Sequence, residues 1–195
     1  MRRAPRAVHG QPSLLHRAVR QVRRHSQAEE AQDEAQAVIV GDGPILLIGE
    51  SPAAGGVPEG ALTGVCGHHL ANLCGLEMSE YERLFARTNI FDVPGAYSRE
   101  GAILVTRHLV DPLVGKRVIL LGSRVVAAFG QRPHLFQWRA YLVGERSSRV
   151  LFSHAPHPSG RSRFWNDQES VERARTFWEA TAAEARRLSP GEAST

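Results

Sequence analysis

From residue 44 onward, short apolar runs alternate with stretches whose apolar positions recur at helical spacing. "PILLIG" (44–49) and "KRVILLG" (116–122) are continuous apolar runs, the pattern of strands buried on both faces. "SRVLFS" (148–153) is a third apolar strand, and "RTNIFD" (87–92) predicts a short strand or strand end. "FQWRAYLVG" (136–144) alternates apolar and polar positions, as an edge strand or hairpin does, with Trp138 and Tyr141 on its apolar side. Between these runs, helical spacing predicts helices over 66–76 and 98–113, the latter ended by Pro112, and over 123–130. Ser79 followed by Glu82 predicts a capping box at the start of "SEYERLF". The tail from Asn166 reads as a helix capped by Asn166, with Glu169 three residues on. Val171, Ala174, Phe177 and Trp178 form its apolar stripe. Strands alternating with helices predict βαβ units and a parallel sheet covered on both faces.

In such sheets ligands bind beyond the carboxyl ends of the strands. The polar loops fall there: "GESPA" after the first strand, "TNIFD" at the second, and "SHAPHPSGRSRFWND" after the last. That last stretch spends two histidines, two prolines, a glycine and two arginines on what a turn could do with one or two. Three loops converging on one edge predict a site. A nucleophile elbow centred on Ser51, with His154 or His157 as base, fails on chemistry. The following residue must donate its backbone N–H to the oxyanion, and it is Pro52, which has none. Neither phosphate-binding glycine motif occurs, so the usual nucleotide sites lack their signature.

Charge and composition refine this picture modestly. The 195 residues hold 24 basic and 20 acidic side chains, a net charge of +4, with Lys116 the only lysine. That excess suits a polyanionic partner. No apolar run approaches the length of a membrane span, so no membrane association is expected. Cys66 and Cys74 offer no disulfide framework and suit a reducing cytoplasm. "CGHH" with Cys74 matches no standard zinc spacing, so no metal is expected. Residues 1–42 run basic and then acidic: seven arginines and no acid in the first 27, then "QAEEAQDEAQ". They read as an extension, disordered or partly helical, that could tether DNA, ahead of one domain at 43–190.

"LLIGESPA", "ALTGVCG", "TN" and "HPS" together, in this order over roughly residues 44–180, resemble the uracil-DNA glycosylase superfamily. The bacterial family 4 type is closest, with a pattern near G-E-x-P-G, P-F-x-G-x-x-G, T-N and H-P-S. The resemblance implies a three-layer α/β/α sandwich on a four-stranded, mainly parallel sheet. It implies a monofunctional glycosylase that removes uracil or a related damaged base from DNA, acting as a monomer in the cytoplasm. Glu50 would orient or activate the attacking water, and His157 would donate to the departing base. Asn89 would read the uracil edge, with Gly49, Ser51, Pro52, Leu62 and Ser159 lining the substrate site. Arg161 and Arg163 would hold DNA phosphates. The chain departs from that pattern in four ways. It lacks the four cluster cysteines, so no iron–sulfur cofactor is expected. Leu62 stands where relatives stack an aromatic ring, Ser51 replaces an acid or amide, and Arg161 replaces an apolar wedge. Those departures keep open a catalytically inactive relative that binds a base, nucleotide or DNA.

Overall fold

The computed structural model describes residues 37–52, 60–95, 97–109, 111–130, 134–143, 148–159 and 162–189. They form a five-stranded sheet in the order β2-β1-β3-β5-β4. Its strands are β1 (Ile45–Gly49), β2 (Phe85–Asn89), β3 (Arg117–Leu121), β4 (Arg139–Val143) and β5 (Ser148–Ala155). The first three and β5 run parallel, and β4 pairs antiparallel with β5 at one edge. The fold class is therefore the expected α/β sandwich, with one strand more than the four implied by the resemblance. That extra strand is the alternating "RAYLV" segment. It returns along β5 and leaves Leu142 in solvent, as an edge strand can.

Side chains alternate across the sheet and build two cores. Ile45, Leu47, Phe85, Ile119 and Leu121 face α1 (Gly64–Cys74), α2 (Met78–Leu84) and α5 (Gln168–Leu188). Leu46, Ile48, Ala86, Val118 and Leu120 face α3 (Arg99–Leu109) and α4 (Ser123–Ala128). Trp178 of α5 is fully buried in the first core, edge-on to Phe85, with Phe177 and Ala174 beside it. Val40, within the segment read as an extension, exchanges both backbone hydrogen bonds with Arg87 and so covers part of the open edge of β2.

Several boundaries differ from expectation. The second strand begins at Phe85, directly after α2, because "FARTN" is buried on both faces and no turn residue separates it from the helix. Ser79 lies inside α2 instead of capping it, and Glu77 occupies the N-cap without a side-chain bond. Asp167 and not Asn166 caps α5, accepting a 2.8 Å hydrogen bond from the Ser170 N–H, since Asn166 is still within a 3₁₀ turn, Arg163–Asn166. The last parallel strand continues two residues further, through His154 and Ala155, in register with Leu120 and Leu121.

Trp178→Ala removes the largest fully buried side chain. The expected loss is about 3–5 kcal/mol of unfolding free energy, read from the urea midpoint. A loss below about 1 kcal/mol would show that this core does not carry the fold.

Candidate functional site

At the carboxyl end of β1, Gly49 lies in register with Asn89 of β2. Pairing persists beyond the strands: Ile90 and Phe91 donate to the carbonyls of Gly49 and Glu50, both at 3.0 Å. Two strand ends are thereby held side by side. The Asn89 carboxamide folds over Gly49 into space that any β-carbon there would occupy. Asn89 is only 7% exposed, and its Oδ1 is buried with no hydrogen-bond partner. An unmet buried carbonyl costs about 1–3 kcal/mol.

Leu62 closes this floor. It is 6% exposed, and its Cδ2 would lie 3.2 Å from a β-carbon on Gly49. Its backbone has φ +52, a left-handed conformation that a leucine rarely adopts. Two neighbours hold it there. The Tyr81 hydroxyl donates to the Leu62 carbonyl at 3.2 Å, and Gly67 lacks the β-carbon that would collide with that carbonyl. Strain of this kind persists only where the surrounding structure over-determines the backbone, as these two neighbours do.

The third loop enters over β3. Gly122, with φ +95, begins the turn into α4, and His157 packs on it: a β-carbon at Gly122 would sit 3.3 Å from the His157 Cβ. The Ser159 N–H donates to His157 Nδ1 at 3.1 Å, which puts the proton of the neutral ring on Nε2. Trp165 ties the loop down by donating its indole N–H to the His157 carbonyl at 2.8 Å. Its ring meets His69 edge-on at 4.7 Å, and Phe164 packs on Phe136. Burial pushes the His157 imidazole below its ordinary value, and the nearby Glu50 carboxylate partly offsets this. A neutral imidazole with its proton on Nε2 is a hydrogen-bond donor at that atom.

Glu50 follows Gly49 in the chain and acts electrostatically on His157. Its Oε1 accepts from Arg124 Nη1 at 3.0 Å, and the Arg124 guanidinium stacks on Tyr97 at 4.7 Å. Neither Arg124 nor Tyr97 was a candidate from sequence. They lie 74 and 47 residues from Glu50, and only the α4 start and the loop after β2 bring them to it.

Gly49, Glu50, Leu62, Asn89 and His157 thus gather at the carboxyl ends of β1, β2 and β3. Ser51 and Pro52 follow directly and are half-buried. Ser159 contributes through its backbone, and Arg163 is exposed on the 3₁₀ turn behind the loop. Arg161 lies outside the described residues. His154 is directed away, onto the face of Leu120. There it lines a cavity of about 10 Å³, room for one water, with His134, Arg139 and Tyr141. Among the described residues no group of three or more histidines, cysteines or carboxylates could hold a metal ion. Both cysteines are free, and no described helix is long and apolar enough to cross a membrane. Neither a scan against protein-family models nor a search of the curated proteins returns a match.

The His157 environment sets a sign. A histidine depressed by burial binds fewer protons folded than unfolded, so its stabilising contribution is lost as pH falls below the ordinary value of 6.5. In an NMR titration His157 is expected to have its midpoint below 6.5, and Glu50→Gln should lower it further by removing the anion. A midpoint at or above 6.5, or an upward shift in the variant, contradicts this electrostatic account.

Proposed function

We propose that the protein is a monofunctional DNA glycosylase that hydrolyses the N-glycosidic bond of uracil or a related damaged pyrimidine. The observation that carries this reading is the buried, unpartnered Asn89 Oδ1 above Gly49, with Glu50 and His157 at the neighbouring strand ends. A carboxamide offers an acceptor and a donor side by side, which matches the N3–H and O4 of a uracil edge. A base reaches such a strand-end site only when swung out of the helical stack.

The chemistry follows from the two remaining groups. As the bond between C1′ and N1 breaks, the electron pair stays with the base and the sugar becomes oxocarbenium-like. His157 Nε2–H donates to the base oxygen on which negative charge grows, a fixed donor aimed at developing charge. Glu50 orients the water whose oxygen bonds to C1′. The water's proton passes to solvent or to the departing base, which leaves an abasic sugar and the free base. Arg124 engages one oxygen of Glu50 and fixes the carboxylate's orientation while the other serves the water. Arg163 and Arg161 supply charge for the phosphodiester backbone, in keeping with the chain's net +4.

A second reading has its own observation. Leu62 lies over Gly49 where an aromatic ring would stack on a base, and its strained turn is held from both sides. With that floor permanently closed, the protein would bind a base, nucleotide or DNA without cleaving it.

Single- and double-stranded oligonucleotides carrying one uracil, treated with alkali after incubation, separate the two. Strand breaks are expected from the intact protein. They should fall by about 10²–10³-fold in His157→Ala and Asn89→Ala, and comparably in Glu50→Ala, without loss of fold. No breaks, with salt-sensitive DNA binding retained, would favour the non-catalytic reading. Neither breaks nor binding would remove both.

A further inference from the structure

Arg87 precedes Asn89 by two residues on β2, so strand alternation puts both side chains on the face covered by α1 and α2. It is 4% exposed, and its Nε and Nη1 are buried with no hydrogen-bond partner. It forms no ion pair among the described residues. The guanidinium lies 5.5 Å from the centre of the Tyr81 ring. The hydroxyl of that same tyrosine holds the Leu62 carbonyl, and Leu62 covers Gly49 beside Asn89. The cation, the carboxamide and the strained leucine therefore surround one floor.

An aromatic face offsets part of the cost of burying a guanidinium, but it satisfies no N–H directed in its plane. A buried charge without a counter-charge destabilises a fold, and an apolar side chain of similar length would pack here without that cost. The residue type thus points to an acceptor that arrives from outside the chain. Asn89 already matches the donor and acceptor of a pyrimidine edge, and it has no charge with which to select an anion. Arg87 sits one pleat repeat deeper in the sheet, about 7 Å along β2. A group projecting past Asn89 from the ring is what it can meet.

We infer that Arg87 is a specificity-determining residue, and that the site prefers a pyrimidine carrying a carboxylate at ring carbon 5, adjacent to the edge read by Asn89. The inference rests on the base-binding reading above. Leu62 must swing from its left-handed turn to admit such a ring, and in doing so relieves the strain at that residue. The carboxylate then accepts from Arg87, and the buried cation gains its counter-charge.

Calorimetric titration of the full chain with free uracil and with free uracil-5-carboxylate tests this, using Arg87→Met, Arg87→Lys and Asn89→Ala alongside. The intact protein is expected to bind the carboxylate roughly 10–100-fold more tightly than uracil, the range for a hydrogen bond to a charged group. Arg87→Met should keep uracil binding, lose the preference and melt no lower than the parent. Arg87→Lys should retain part of the preference, and Asn89→Ala should lose both ligands. Equal affinities in the intact protein, or a preference that survives in Arg87→Met, overturns the role of Arg87 and leaves the base site standing. A lower melting temperature in Arg87→Met with its preference unchanged marks a packing residue and also overturns it. Binding of neither base by folded protein removes the base site and this inference together.

Discussion

At the end of β1 the chain carries only a hydrogen where any other residue would place a carbon, and the Asn89 carboxamide fills that space. Parallel pairing brings the two residues into register, and the bonds from Ile90 and Phe91 lock the strand ends together. The remaining features act on this floor: Leu62 roofs it, Tyr81 and Gly67 hold the roof, and Arg87 lies beneath one edge. Glu50 leaves the same strand end toward His157. A glycine at this point trades backbone freedom in the unfolded chain for a close approach in the folded one.

The second constraint is rigidity in the loop that carries His157. Pro156 and Pro158 are buried on either side of it, Gly122 gives it a bed, and the Trp165 indole fixes its carbonyl. With Nδ1 engaged by the Ser159 amide, the ring has one orientation and one neutral tautomer. Burial favours that neutral form, and the Glu50 carboxylate works against it. The outcome is a donor tuned by two opposing influences, of which burial is the larger. Such preorganisation costs nothing at the moment charge develops on a ligand.

Much of the architecture was legible because buried parallel strands leave continuous apolar runs, and β1 and β3 are such runs. The polar loops stood out because they follow those runs, where a sheet of this kind opens its crevice. The errors came where local signals were redundant. Ser79 and Asn166 are good capping residues, but the backbone turns at Glu77, two residues before the first, and at Asp167, one residue after the second. Arg87 looked like the polar start of a strand, since nothing in "FARTN" tells which residues the sheet will bury. Arg124 and Tyr97 were invisible for a different reason. Each is an ordinary helix or loop residue until the fold brings it to Glu50. The role of Gly122 depended in the same way on a loop more than 30 residues later.

The glycine end of β1 leaves room for the Asn89 carboxamide, and Gly49→Ala tests whether that space serves the proposed base binding. The backbone of Gly49 is not in the left-handed region, so the substitution changes space and not allowed conformation. Measured by calorimetry, uracil binding is expected to fall by about 100-fold or more while the variant remains folded, because the new methyl displaces Asn89 Oδ1 and crowds Leu62. Uracil bound equally by Gly49→Ala and the parent would contradict the account.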